Sequence, residues 1–284
     1  MPAERSAAAG TRVPDFREAY PISAKAAVHT QAVFRSGMPG LAGLPWPRLE
    51  GIRDFARFAG ISDGATRTAL SRAKAEGSLV VEEDSGGVKR YRLSAAQLAR
   101  GNAVIRSGSR PEGFLVAVFS FKSEDTEERA ALRETLKDFG FRKLAQNAYI
   151  NGRIETAPLK AAVRELGLEN HLHLFTCPEL DDEDQARRVL ALFDLESRKR
   201  ELADYLATLR AFLPDSLADD ELARRLLYVG PVHFERVELG EPPIPLRYRP
   251  EAYPLDEINR FYGERLERGG ALMLTYYLEM NGKE

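Results

Sequence analysis

The sequence predicts an α+β protein in three parts: an N-terminal winged helix-turn-helix, a ferredoxin-like middle and a helical C-terminal third. Three patterns carry this. Residues 47–93 read helix, turn, helix, hairpin. Residues 113–178 read strand, helix, strand, strand, helix, strand. Beyond residue 181, apolar residues recur at helical spacing with one proline-rich interruption. A chain of 284 residues suits two or three compact units. The expected bounds are a mobile tail over 1–16, the winged unit over 17–110, the ferredoxin-like unit over 111–180 and the helical unit over 181–284.

In the first third, residues 17–37 have helical character up to Gly37. Prolines and glycines then break the chain. Pro47 fits the first turn of a helix over 47–59, in which Leu49, Ile52, Phe55 and Ala56 fall near helical spacing. Gly60 ends it, and Ser62 suits the N-cap of a second helix over 63–76. After Gly77, SLVVEE and VKRYRL flank the turn residues DSGG as two short strands.

On a helical wheel the second helix divides. Ala65, Ala69, Leu70 and Ala73 cluster on the side expected to be buried. Arg67, Thr68, Ser71 and Lys74 fall opposite, with Arg72 at the boundary. Small residues let a helix seat closely, while short polar and long basic side chains are what enters a major groove. Arg67 and Ser71 are the expected base-edge contacts. Thr68, Arg72, Lys74 and the hairpin's Lys89, Arg90 and Arg92 are the expected phosphate contacts. An ordinary solvated amphipathic helix with a hairpin is the alternative.

In the middle, Phe114–Phe121 reads as a buried strand and SEDTEERAALRETLKDFG as a helix with an acidic start. FRKLAQNAYING reads as two strands broken near Gln146 and Asn147. ETAPLKAAVRELG, with Pro158 in its first turn, is the second helix, and HLHLFTC the last strand. Further on, 181–212 reads as nearly continuous helix, with Leu202, Tyr205, Leu206, Leu209, Phe212 and Leu213 forming a stripe. Another helix spans about 218–229. GEPPIPLRYRPEAYP is an extended connector, because its prolines deny it a continuous helix. A last helix closes the chain.

Composition narrows the function. Lys plus Arg number 41 against 43 Asp plus Glu, so net charge names no partner. Its distribution says more. Residues 48–110 hold twelve basic and seven acidic groups, whereas 111–284 carry a net of −9. A basic stretch beside an acidic body suits an anionic partner. The single cysteine, Cys177, excludes a disulfide framework. No secretory leader or membrane span is expected, so the expected location is the cytoplasm. His171 and His173, with Cys177 and His233, are the best metal candidates, but satisfied histidines on a sheet are commoner. No nucleotide-binding, zinc-protease or serine-hydrolase motif is present, so neither cofactor nor catalytic site is expected.

In this order the three parts resemble the PaaX-like family of transcriptional repressors, the phenylacetic acid degradation regulators, over residues 30–280. The most specific match is GISDGATRTALSRAKAEGSLVVEEDSGGVKRYRLS at 60–94. Phe193-Asp-Leu195 followed by Tyr205 is a second. Glu241-Pro-Pro-Ile-Pro-Leu246 leading to Arg249-Pro250 is a third, with Glu241 where Asp is usual and Tyr253-Pro254 where Trp-Pro is usual. The resemblance implies a homodimer on double-stranded operator DNA, released by a CoA thioester such as phenylacetyl-CoA. It also implies a Cas2-like middle domain and a C-terminal unit for effector binding and dimerisation. Arg187, Arg188, Arg224, Arg225, Arg247 and Tyr262 are candidates for the effector, since phosphates need cations and an aryl group an apolar slot. The clusters Arg198–Arg200, Arg249, Phe261, Tyr276 and Tyr277 offer the same chemistry. A Cas2-like metal-dependent nuclease is the alternative. Cas2-type nucleases end the first strand with aspartate, and here it ends Ser120-Phe121-Lys122.

Overall fold

The computed structural model describes residues 15–29, 46–95, 112–152, 154–238 and 240–281. Most of the expected tail, the helical reading over 30–37, the broken stretch to residue 45 and the segment 96–111 lie outside the described residues.

The chain starts with a short helix α1 (Phe16–Ala19), capped by the Asp15 side chain, and residues 24–29 are helical as well. Helix α2 (Leu49–Phe58) begins two residues later than expected. Pro47 stays extended instead: its carbonyl accepts from the Tyr91 amide, and Arg48 bridges Arg90. The turn over 59–62 leads to α3 (Asp63–Ala75), where the Ser62 hydroxyl accepts from the Ala65 amide. Strands β1 (Leu79–Glu83) and β2 (Lys89–Leu93) form an antiparallel hairpin, with Leu79 opposite Leu93 and Glu83 opposite Lys89. Ile52, Leu70, Ala73, Leu79, Tyr91 and Leu93 form a small shared core with Val28.

The middle follows the expected order: β3 (Phe114–Phe119), α4 (Thr126–Asp138), β4 (Arg142–Ala145), β5 (Ala148–Gly152), α5 (Thr156–Glu165) and β6 (Leu172–Cys177). The sheet order is β4-β5-β3-β6, antiparallel throughout, so the first strand lies centrally between the third and the last. Leu132 and Leu136 of α4 and Leu159 and Val163 of α5 bury one face with Leu115, Ala117, Phe119 and Tyr149. On the other face Phe114 and Ile150 meet Val189, Phe193, Leu195 and Ile244. Gly152 is required there, because a Cβ would stand 1.3 Å from the Pro243 carbonyl oxygen.

The C-terminal third holds α6 (Glu183–Ala191), α7 (Leu195–Phe212), α8 (Asp219–His233) and α9 (Leu255–Met280). The continuous helix expected over 181–212 is broken. Asp194 turns left-handed at φ 46°, which lets Phe193 and Leu195 both reach the sheet. The helix expected to stop near 229 continues through Pro231 and ends in a π-helical turn, Phe234–Glu238. Burial of Val229, Val232 and Val237 outweighs the amide bond that Pro231 cannot donate.

The largest core joins α7, α8 and α9 through Leu202, Tyr205, Leu226, Tyr228, Ile258 and Tyr277. Phe16 of α1 and Phe55 and Ala56 of α2 belong to it too. Helix α2 is therefore two-faced, with Ile52 in the small N-terminal core and Phe55 in the helical one. The end of α9 docks on the start of α2: Asn281 Oδ1 accepts from the Arg48 amide at 3.3 Å.

Candidate nucleic-acid interface

Helix α3 and the hairpin are placed by α2. Arg53 donates to Asp63 Oδ2 at 2.9 Å, and Arg57 to Asp63 Oδ1 at 3.3 Å, clamping the first turn of α3 to its neighbour. Hydrogen bonds from Arg53 and then Arg57 hold the Asp63 carboxyl below the usual carboxylate range. The buried side of α3 is Thr66, Leu70 and Ala73, with Ala69 half-buried. Ala65, expected inside, is exposed, and Thr66 takes its place. Thr66 can do so because its hydroxyl donates to the Ser62 carbonyl, which removes the cost of burying a polar group.

The outer face of α3 carries Arg67, Thr68, Ser71, Arg72 and Lys74, all exposed. Among the described residues Arg67, Arg72 and Lys74 make no ion pair, and neither does the exposed Lys89 at the start of β2. The two arginines of α2 differ, since both are paired with carboxylates. Charge on the face of α3 is thus left available to an outside anion.

Two of the expected phosphate contacts are corrected. Arg90 is buried, 5% exposed; its guanidinium donates to Asp84 Oδ2 at 2.8 Å and to the Trp46 carbonyl at 3.1 Å. It holds the hairpin against the strand-like segment before α2. The Val88 amide and then Arg90 lower the Asp84 carboxyl. Arg92 is half-buried and pairs with Glu82, whose own carboxyl that contact lowers. Arg90 and Arg92 share one side of β2 and are both taken by carboxylates, whereas Lys89, at the start of the strand, is exposed and makes no ion pair among the described residues.

The expected effector residues do not converge. Arg187 pairs with Asp184, Arg224 with Asp220, Arg225 with Glu221, and Arg247 with Glu179 while donating to the Pro178 carbonyl. Arg188 is exposed on α6. Tyr262 stacks on His233 with ring centroids 4.0 Å apart, and its hydroxyl is pushed up by burial. The residues lie on four elements, and three of the six are held by carboxylates one turn away. The histidine set expected as a metal candidate also separates. His171 ends a short 3₁₀ turn and stacks on Phe121, His173 is exposed on β6, and His233 sits in the helical core with its ring pushed down to about pKa 3 by burial. Among the described residues no three His, Cys, Asp or Glu side chains gather to hold a metal ion.

What does converge is the proline-rich connector. Glu241 is buried: its Oε2 accepts from the Tyr253 hydroxyl at 3.0 Å and from Arg198 Nε at 3.4 Å. Arg249 lies 3.7 Å from Oε1 and over the Tyr253 ring. Burial raises the Glu241 carboxyl despite both arginines. Arg198 was legible only as one cation in a run. What marks it is its position opposite a connector 43 residues away in the chain.

Residues 112–189 match the sequence family described as the PaaX protein central Cas2-like domain. Over these residues the chain is similar to the PaaX protein's central domain. The matched residues run from the approach to β3 into α6, so the matched domain includes the helix that covers the second face of the sheet. No curated protein matches the chain. Among solved structures it is similar to the uncharacterized protein Rv0674 from Mycobacterium tuberculosis, at 18% identity and a TM-score of 0.48, over 91% of this chain and 99% of that one. No helix among the described residues is long and apolar enough to cross a membrane.

Proposed function

We propose that the chain is a DNA-binding transcriptional regulator, a homodimeric repressor of a catabolic operon released from its operator by a CoA thioester. On this reading residues 17–110 form a winged helix-turn-helix, and α3 is the helix that enters the major groove. The observation that carries the proposal is the exposed set Arg67, Arg72, Lys74 and Lys89, which makes no ion pair among the described residues, beside the paired arginines of α2. Cations that fold back onto carboxylates gain little from DNA; cations left in water release counterions when they meet phosphate. Arg67 and Ser71 read base edges, while Thr68, Arg72, Lys74 and Lys89 hold the backbone.

The match to the PaaX central domain supports the reading of a regulator. Control by a ligand has a physical route here. Helix α9 starts beside the Glu241 cluster and ends on α2, and its 26 residues span roughly 39 Å. A ligand that changes the connector would act through α9 on the helix pair that meets DNA.

The test is fluorescence anisotropy on DNA from upstream of the gene, at fixed salt, with and without aryl- and acyl-CoA thioesters. Arg67→Ala is expected to cost about 1–3 kcal/mol of operator binding and to relax one base preference. Unchanged affinity in that variant removes α3 as the reading helix. Selective binding that no thioester releases keeps the DNA role and discards the ligand. A magnesium or manganese cleavage assay separates this reading from a nuclease.

A further inference from the structure

The two edges of the middle sheet are not alike. Strand β4 is short, carries Arg142 and Lys143 and is interrupted by a bulge between Lys143 and Ala145. Charges and bulges of that kind stop an edge from pairing with another chain. The opposite edge, β6, has six residues, Leu-His-Leu-Phe-Thr-Cys, with no proline, lysine, arginine or carboxylate. Among the described residues nothing pairs along its outer side. Phe175 on it is 57% exposed, the most exposed large apolar side chain among the described residues.

The free backbone groups of β6 can be assigned. The His171 carbonyl accepts from Ser120, and β6 pairs with β3 from Leu172 opposite Phe119 to Cys177 opposite Phe114. Hydrogen-bonding groups alternate along an antiparallel strand, so those of Leu172, Leu174 and Thr176 point outward. Two copies of that pattern fit each other when Leu174 faces Leu174 across a two-fold axis. About six main-chain hydrogen bonds then form, and Phe175 of each copy covers His173 of the other.

Charge supports the same arrangement. Arg164, near the end of α5, lies with Glu169 and Leu172 at the start of the strand. Beside the edge a groove of about 350 Å³ is lined by Lys160, Val163, Arg164, Glu169, Leu172 and Leu174, among others. Lys160 and Arg164 make no ion pair among the described residues. The end of β6 leads instead into Glu179, which pairs with Arg247, and into Asp181 and Asp182, which make no ion pair among the described residues. Antiparallel pairing about Leu174 brings Lys160 and Arg164 of one copy, with Glu169 beside them, toward Asp181 and Asp182 of the other, on both sides of the axis.

We infer that the outer edge of β6 is the homodimer interface, with a second copy of β6 as its occupant and Leu174 at the two-fold axis. This deepens the homodimer part of the proposed function, and places the contact in the middle domain rather than in residues 181–284. The experiment is sedimentation of the full chain and of Phe175→Lys and Thr176→Lys, both at exposed positions, with circular dichroism to show that each folds. The wild type is expected at twice its 31.7 kDa, with self-association weakened roughly tenfold or more in each variant. As a register check, His173→Cys/Phe175→Cys on a Cys177→Ser background is expected to form a disulfide-linked dimer on oxidation. A wild-type dimer that both lysine variants leave intact overturns this interface while the homodimer reading stands. A wild-type chain that sediments as a monomer overturns the homodimer reading itself.

Discussion

Gly51 offers a controlled test of how α9 holds α2. A Cβ at this position would stand 2.0 Å from Asn281 Oδ1 and 2.8 Å from the Met280 carbonyl oxygen. Asn281 is fully buried and its amide is already committed to the Tyr277 carbonyl, so it cannot swing aside. Overpacking of this kind costs about 1–3 kcal/mol. Alanine also gains about 1 kcal/mol over glycine within a helix, which offsets part of the loss. Gly263→Ala supplies the reference: Gly263 lies inside α9, and nothing stands within 4 Å of its Cβ position. The helical gain is common to both variants, so their difference isolates the collision, about 1–3 kcal/mol. For a chain of this size that separates their Tm values by roughly 2–4 °C per kcal/mol. The assay is thermal and urea unfolding of Gly51→Ala, Gly263→Ala and wild type. If Gly51→Ala is stabilised as much as Gly263→Ala, the close approach of α9 to α2 is wrong, and with it the route from the connector to the helices proposed to face DNA.

Other outcomes follow from the same contacts. Lys89→Ala is expected to weaken binding to all DNA sequences alike and to flatten the salt dependence by about one unit, with unfolding unchanged. Its neighbour Arg90→Ala is expected to lower the urea midpoint and loosen the hairpin, read as faster amide exchange in β1 and β2. His233 is neutral in the folded chain, with its pKa lowered to about 3 by burial. An unfolded imidazole binds its proton near pH 6.5, so the unfolded chain takes up the extra proton first as pH falls. Stability from this group is therefore full above about pH 6.5 and falls by up to about 1.4 kcal/mol per pH unit toward pH 3. Urea unfolding from pH 7 to 4 is expected to show that slope, and His233→Gln to remove it. Gly152→Ala is expected to displace the connector, because the collision is with backbone at Pro243 rather than with a movable side chain. The readout is proteolysis within 240–254.

Much of the fold was legible because local rules and global contacts agree. Ser62 caps α3, Leu132 and Leu136 bury one helix face, and Gln146 and Asn147 separate β4 from β5, as their residue types dictate. The misreadings lie where tertiary contacts overrode those rules. Pro47 suits a helix start by residue type, but the Tyr91 amide holds its carbonyl in an extended segment. The helical pattern over 181–212 hides a left-handed turn at Asp194, since periodicity records apolar spacing and not which sheet the apolar residues must reach. On α3 Ala65 is exposed and Thr66 is buried, because a hydroxyl bonded to its own helix buries as readily as a methyl group.

The candidate site divides in the same way. The sequence alone determines that α3 has a polar, basic face, because a 3.6-residue period sorts Arg67, Ser71 and Lys74 away from Leu70 and Ala73. Which cations stay free is a tertiary matter. Lys89, Arg90 and Arg92 are near-equivalent in the sequence, yet Asp84 and the Trp46 carbonyl take Arg90, Glu82 takes Arg92, and only Lys89 is left to solvent. The same holds for the connector, where Arg198, Glu241, Arg249 and Tyr253 meet only after α7 and the prolines are folded together. Charge and periodicity belong to the chain and can be read along it. An ion pair belongs to a distance, and distances between remote residues exist only once the core has closed.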